Sequence, residues 1–128
     1  MEYQQITEKI IGCAYAVYNK MGYGFLESVY EKCMLIELAK AKVNATAQRP
    51  VTVFYEGHIV GDFIADLLVE DKVLVELKSV RRLVQAHEVQ LVNYLTATDT
   101  EVGLLLNFAE RNVEVKRRTR TLPQEADF

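Results

Sequence analysis

The segment 73–80, Val-Leu-Val-Glu-Leu-Lys-Ser-Val, is the strongest constraint on the fold of this 128-residue chain. Its apolar residues follow one another almost without interruption, instead of alternating regularly with polar ones. A strand of this kind is typical of a sheet that is covered on both faces, because both rows of its side chains must be kept from water. The segment therefore predicts a central strand in a sheet flanked by helices.

Other segments supply the helices and the remaining strands. Apolar residues at steps of three and four predict helices over residues 7–21, with Thr7 as the N-cap, and over residues 25–41 and 83–96. Strands are predicted over residues 51–55, 58–69, 73–80, 102–108 and 113–116. This order predicts an α+β or mixed α/β domain. We expect a single domain over residues 1–128, with a frayed tail from about residue 120.

Composition excludes several classes of protein. Half of the residues are hydrophobic and 26% are charged, which is typical of a folded globular domain. No apolar run approaches the roughly 20 residues that span a bilayer, and the polar N-terminus does not resemble a signal peptide, so we expect a cytoplasmic protein without membrane contact. Cys13 and Cys33 fit no CxxC pattern and are expected to be buried free thiols. The net charge of -3 argues against a broad nucleic-acid binder but allows an enzyme that touches a few phosphates.

Asp66, Glu76 and Lys78 are charged residues within strongly apolar strands. Glu76 and Lys78 are two residues apart, so they project from the same face of a strand. If residues 70–72 form the loop between the strands, Asp66 lies opposite Glu76, with Cβ atoms about 4.5 to 5.5 Å apart. Two carboxylates that close, on so apolar a sheet, require a cation to compensate their charge.

The residues alone leave two interpretations of this cluster open. In the first, the carboxylates bind Mg²⁺ or Mn²⁺, which prefer hard oxygen ligands, polarise phosphoryl oxygens and lower the pKa of bound water. In the second, Lys78 pairs with Asp66 or Glu76 in a cross-strand charge ladder at the margin of the sheet. Neighbouring polar residues add to the first interpretation. Gln90 and Tyr94 share one face of the third helix, and Arg81 with Arg82 directly follows the central strands.

The chain resembles the GxxExxY protein family of the PD-(D/E)xK nuclease superfamily over nearly its whole length. The resemblance rests on Gly24, Glu27 and Tyr30 within GFLESVY, on ADLLVEDKVLVELKSV and on HEVQLVNYL, in this order and spacing. Gln90 and Tyr94 also resemble the QxxxY element of exonuclease-type members. The resemblance implies a restriction-endonuclease-like core of αβββαβ order, in which helices flank a mixed four-stranded sheet.

The resemblance also implies roles for individual residues. Glu27, Asp66 and Glu76 would bind the metal, and Lys78 would be the catalytic lysine. Gln90 and Tyr94 would line the site and orient the substrate or the lysine. Ala65 stands where the name of the superfamily motif has proline, a position that many members vary.

The expected function is that of a Mg²⁺- or Mn²⁺-dependent phosphodiesterase acting on nucleic acid, with DNA favoured over RNA. The metal and Lys78 would activate water for attack at phosphorus, while Arg81 and Arg82 would hold flanking phosphates. The alternative is a non-catalytic binding or assembly module with a nuclease-like fold, which the acidic pI of about 5.4 supports. A domain this small often needs a second copy to grip a duplex, so a homodimer is a further expectation.

Overall fold

The computed structural model describes residues 1–120, so the predicted frayed tail lies outside the described residues apart from Arg120. The backbone N–H of Arg120 donates to the carbonyl of Glu101, 3.2 Å away. The described residues form eight elements: α1 (Tyr3–Met21), α2 (Glu27–Lys40), β1 (Ala45–Tyr55), β2 (His58–Val69), β3 (Val73–Lys78), α3 (Gln85–Thr98), β4 (Val102–Phe108) and β5 (Val113–Thr119).

The strands form one five-stranded sheet in the order β1-β2-β3-β4-β5. β3 and β4 run parallel and are connected through α3, whereas the other neighbours are antiparallel. The predicted mixed sheet and αβββαβ core are confirmed as α2-β1-β2-β3-α3-β4. β5, predicted over residues 113–116, continues to Thr119, pairs with β4 along its whole length and extends this four-stranded core to a sheet of five strands. No helix within residues 1–120 combines the length and the apolar character needed to cross a bilayer.

Two hydrophobic cores lie on opposite faces of the sheet. The larger one joins α1 and α2 to β3 and β4, and the smaller one joins α3 to the other face. Val73, Val75 and Leu77 belong to the larger core, and Leu74 belongs to the smaller one. The prediction that the strand at residue 73 is covered on both faces is thereby confirmed. Cys13 is buried as expected, Cys33 is only half-buried, and both are free thiols.

The helix starts differ from the predicted ones. α1 begins at Tyr3, four residues early, because the four residues before Thr7 also have helical conformation. Thr7 is therefore not an N-cap: it is buried, and its hydroxyl donates to the carbonyl of Gln4 at 3.0 Å. α3 begins at Gln85, since the backbone N–H of Leu83 is held instead by the carboxylate of Glu114 at 2.8 Å.

Tyr30 holds the loop that leads into α2. Its hydroxyl donates to the carbonyl of Gly22 at 2.5 Å and accepts from the N–H of Phe25 at 3.3 Å. Its ring stacks on Phe108 of β4 with centroids 4.2 Å apart. Gly24 has φ +113°, which side-chain-bearing residues rarely adopt. Two residues of the GxxExxY pattern therefore shape the loop that positions the third, Glu27.

α3 lies very close to β4 at Gly103. A Cβ atom at this position would be 2.9 Å from the Cδ1 of Leu91 and 2.9 Å from the Cδ2 of Leu95. Real Cβ atoms do not approach other heavy atoms so closely, so a side chain here would push α3 away from the sheet. The absence of a side chain at Gly103 thus allows the close distance between α3 and β4.

We expect Gly103→Val to lower the free energy of unfolding by about 1 to 3 kcal/mol, because its methyl groups overpack the contact with α3. Urea denaturation followed by circular dichroism measures this change. Gly12→Ala is the control: it is in α1 with open space around its Cβ, and it should gain about 0.5 to 1 kcal/mol from helix propensity. A free energy of unfolding of Gly103→Val equal to that of wild type would contradict this prediction and show that α3 can move away from the sheet without loss of stability.

Candidate active site at a fork in the sheet

The sheet forks between β2 and β3. The two strands pair only where residues 67–69 meet residues 73–75, although β2 starts at His58 and β3 continues to Lys78. The loop between them is residues 70–72, as predicted. β1 stays paired with β2 as far as Tyr55, so residues 49–65 leave the sheet as a two-stranded ribbon. The backbone ladder between β2 and β3 therefore stops before Asp66 and Glu76.

Asp66 and Glu76 lie where the strands separate. The backbone N–H of Asp66 donates to Oε2 of Glu76 at 3.0 Å, and the backbone N–H of Leu77 donates to Oδ2 of Asp66 at 2.8 Å. Each carboxylate thus accepts a hydrogen bond that a backbone carbonyl would accept in a continuous ladder. The two carboxylates, called the acidic pair below, therefore lie close together, as the loop length predicts.

An irregularity in β1 accompanies the fork. Gln48 has φ +57° and lies between the pairs Ala47–Leu67 and Arg49–Ala65. Ala65 packs in the smaller core and Leu67 in the larger one, although residues two apart on a regular strand share a face. β2 therefore rotates about its axis at Asp66, which separates the ribbon from the rest of the sheet.

Glu76 is buried, with only 7% of its surface exposed. Burial is the main reason that its pKa is raised from 4.5 to about 7, and the charge of Asp66 raises it further. The N–H of Asp66 and the charge of Lys78 act in the opposite direction. A carboxylate with such a pKa ionises near neutral pH and is stabilised by any additional cation.

Asp66 is half-buried, and burial is again the main cause of its raised pKa. The N–H of Leu77 and the charge of Lys78 lower this pKa, while the charges of Glu31 and Glu27 raise it. Glu31 is an acidic neighbour that the sequence analysis did not identify. The available signal was its spacing of four residues from Glu27, which places both on one face of α2.

Lys78 is half-buried at the end of β3, and its charge lowers the pKa of both members of the acidic pair. Yet among residues 1–120 no ion pair within 4.0 Å joins Lys78 to Asp66 or Glu76. The carboxylates use backbone N–H groups as their direct partners instead. The geometry therefore does not support the charge ladder as the explanation of the pair.

The remaining oxygens of the acidic pair suit a hard cation. No buried side-chain oxygen in the described part of the chain lacks a hydrogen-bond partner, so Oδ1 of Asp66 and Oε1 of Glu76, which have no protein donor, reach solvent. Two accessible carboxylate oxygens in a poorly solvated setting fit Mg²⁺ or Mn²⁺. Within residues 1–120, no group of three or more His, Cys, Asp or Glu side chains forms a ready-made metal site. Such a cation would therefore need water or substrate oxygens as further ligands.

Glu27 is the first residue of α2, and its side chain is exposed. Its charge raises the pKa of both carboxylates, but it does not join them in a ligand cluster. Ser79 links the two regions, because its hydroxyl donates to the carbonyl of Phe25 at 2.7 Å. The loop that precedes Glu27 is thereby attached to the chain directly after Lys78.

Tyr94 of α3 lies next to the acidic pair. Its pKa is raised by burial, and then by the charges of Glu76 and Asp66. Its ring stacks on Phe63 of the ribbon, with centroids 3.7 Å apart and an interplanar angle of 16°. Gln90, one turn earlier, is exposed and donates no hydrogen bond to either carboxylate among the described residues.

Arg81 and Arg82 are exposed on the segment that follows β3. The Nε of Arg81 is 3.8 Å from a carboxylate oxygen of Glu110, which lies in the turn between β4 and β5. The structure thus places both arginines on the segment that follows Lys78, next to the turn between β4 and β5.

Comparisons with known proteins show which sequences and folds this chain resembles. The family model of the PD-(D/E)XK nuclease superfamily matches residues 4–118. The crystal structure of a protein designated SSO0001 is 17% identical with a TM-score of 0.60, covering 78% of this chain and 53% of that one, so this chain spans about half of its length. The crystal structure of an alkaline exonuclease (LHK-Exo) from Laribacter hongkongensis is 12% identical with a TM-score of 0.45, covering 98% and 86% of the two chains. No curated protein matches the sequence.

We expect Glu76→Gln to remove a pH dependence of stability in metal-free solution. Because the pKa of Glu76 is raised from 4.5 to about 7, the folded state holds this proton more tightly than the unfolded state. Stability should therefore fall as the pH rises through this window, by about 3 kcal/mol at most. Glutamine cannot ionise, so above pH 7 the free energy of unfolding of the variant should exceed that of wild type. Below pH 4.5 the two free energies should differ little.

Urea denaturation in EDTA across this pH range measures the difference. Glu8→Gln, at an exposed position of α1, is the matched control and should leave the pH profile of wild type unchanged. A constant difference between Glu76→Gln and wild type at every pH would contradict the raised pKa.

Proposed function

The chain belongs to the PD-(D/E)XK nuclease superfamily, and from this we propose that it is a Mg²⁺- or Mn²⁺-dependent phosphodiesterase that hydrolyses nucleic acid, with DNA favoured over RNA. The observation that carries the proposal is the acidic pair at the fork. Its carboxylates are poorly solvated, each keeps one oxygen open to solvent, and Lys78 lies beside them without neutralising them by an ion pair.

Asp66 and Glu76 would hold the metal ion through Oδ1 and Oε1, and nucleases of this superfamily generally use divalent metal ions. A bound Mg²⁺ or Mn²⁺ supplies Lewis-acid stabilisation of the phosphoryl oxygens and lowers the pKa of water. Glu27 is proposed as a further ligand because its charge already acts on both carboxylates. The backbone N–H groups of Asp66 and Leu77 keep the pair oriented by occupying its inner oxygens.

Lys78 is proposed as the catalytic lysine. Its Nζ–H groups would orient the attacking water and donate to the oxygens on which negative charge develops during the displacement at phosphorus. Tyr94 would assist from α3, because its hydroxyl is protonated at neutral pH and able to donate a hydrogen bond. Burial beside the acidic pair raises its pKa further. Gln90 is proposed to orient the substrate at the exposed end of the same helical face.

The fork gives the substrate a way to reach these groups. The ribbon lies on one side of the acidic pair, and the segment that carries Arg81 and Arg82 follows β3 on the other. Phosphates on either side of the scissile bond would be held by these arginines, since guanidinium groups pair well with phosphate oxygens. The alternative of a non-catalytic module has no comparable support in the geometry of the pair.

We expect the double variant Asp66→Asn/Glu76→Gln to lose Mn²⁺ binding, because amides replace both proposed ligand groups while the backbone hydrogen bonds can persist. Isothermal titration calorimetry with Mn²⁺ on wild type and variant measures this. Glu70→Gln, in the loop between β2 and β3, is the control and should bind Mn²⁺ as wild type does. Absence of Mn²⁺ binding in wild type would contradict the proposed metal site and favour the non-catalytic module.

Lys78→Met should lower the cleavage rate by about 100-fold or more while Mn²⁺ still binds, since it removes transition-state stabilisation and leaves both ligand carboxylates in place. Cleavage of labelled DNA and RNA strands in Mn²⁺ measures the rate and compares the two substrates. Lys72→Met, in the exposed loop at the other end of β3, should cleave like wild type. Equal rates for Lys78→Met and wild type would exclude the catalytic role of this lysine.

A further inference from the structure

A second basic feature lies beside the proposed site. A cavity between the segment after β3 and the turn between β4 and β5 is lined by Arg81, Arg82, Arg111, Glu110 and Glu114. The three arginines, called the arginine surface below, come from two separate stretches of the chain. Arg81 and Arg82 are adjacent in the sequence, whereas Arg111 is brought to them only by the pairing of β4 with β5.

The charges of the arginine surface remain largely available. The Arg81–Glu110 contact is 3.8 Å long and its side chains are 80% and 49% exposed, so the contact contributes little and can be given up. Within residues 1–120, Glu114 forms no ion pair within 4.0 Å with these arginines. Its Oε1 accepts hydrogen bonds from the N–H of Leu83 and from the Nδ2 of Asn107, both at 2.8 Å. Arg82 and Arg111 are exposed as well.

Asn107 fixes the first wall of this cavity. Its side chain is completely buried, its Oδ1 accepts from the N–H of Val80 at 2.9 Å, and its Nδ2 donates to the carbonyl of Val80 at 2.9 Å. The amide therefore pairs with Val80 as a neighbouring strand would. Asn107 also lies opposite Lys78 in the β3–β4 ladder. Its bonds to Val80 therefore hold the backbone of the segment that leads from Lys78 to Arg81 and Arg82.

The second wall, residues 109–112, is anchored in a similar way. The N–H of Ala109 donates to the carbonyl of Asn112 at 3.0 Å and closes the turn. The carbonyl of Ala109 accepts from the hydroxyl of Tyr18 on α1 at 2.6 Å. Arg111 therefore extends from a backbone that is held by the core, next to the segment held by Asn107.

We propose that Arg111, together with Arg81 and Arg82, binds the sugar–phosphate backbone of nucleic acid beside the scissile phosphate. Three guanidinium groups on fixed backbone segments, at the edge of a site that accepts a phosphodiester, suit successive phosphates of one strand. Contacts to phosphate carry no base information, so this surface binds nucleic acid without selecting a base sequence. The identity of the ligand rests on the proposed function.

The test is fluorescence anisotropy with labelled DNA and RNA duplexes of equal sequence in EDTA, so that binding is measured without cleavage. Each lost phosphate contact should reduce the slope of log Kd against log salt concentration by about 0.9. Arg111→Gln should show this reduction, with weaker binding at low salt, whereas Arg111→Lys should keep the wild-type slope. Glu110→Gln should tighten binding, because it removes a negative charge next to Arg81.

Lys42→Gln is the control: it removes one positive charge from an exposed lysine that follows the end of α2, at the opposite end of this helix from Glu27, and should leave the slope unchanged. Equal slopes for Arg111→Gln and wild type, equal reductions in Arg111→Gln and Lys42→Gln, or no nucleic-acid binding by wild type would each overturn the proposal. Cleavage by wild type in Mn²⁺ is assayed separately. Binding with the predicted slope but without cleavage would contradict the proposed function and leave the arginine surface supported.

Discussion

The exchange of hydrogen bonds between backbone and carboxylates at the fork is the interaction on which the rest of the site depends. Asp66 N–H donates to Glu76, and Leu77 N–H donates to Asp66. These bonds satisfy backbone donors that would otherwise be left unpaired where the strands separate, and an unpaired buried donor costs about 1 to 3 kcal/mol. The same two bonds fix the orientation of the carboxylates. The same hydrogen bonds therefore allow the strands to separate and hold the acidic pair in place.

Burial of the surrounding sheet gives this pair its chemical character. α3 is seated closely on β4 at Gly103, and α1 and α2 cover the opposite face. The low polarity that results raises the pKa of both carboxylates, and the neighbouring charges of Glu27 and Glu31 add to the effect on Asp66. Lys78 offsets this only in part. A folded sheet that leaves negative charge undercompensated at one point is suited to attract a cation there.

Local patterns predicted much of the fold and part of the site. The unbroken apolar segment at residue 73 predicted a strand covered on both faces, and the loop at residues 70–72 predicted that Asp66 meets Glu76. The placement of Thr7 as a helix cap was wrong because residues before it also form helix. Glu31 and Arg111 were missed because their neighbourhood comes from other elements. Membership of the GxxExxY family stays a prediction that rests on the motif alone.

The sequence by itself determined the element order, the two-sided cover of β3 and the proximity of Asp66 to Glu76, because these follow from side-chain periodicity and from the length of the loop at residues 70–72. Only the tertiary structure decided the fork, which requires the rotation of β2 opposite Gln48. It also decided the raised pKa values, which arise from burial among distant segments. The meeting of Arg111 with Arg81 and Arg82 is likewise tertiary, because it depends on strand pairing and on the buried amide of Asn107.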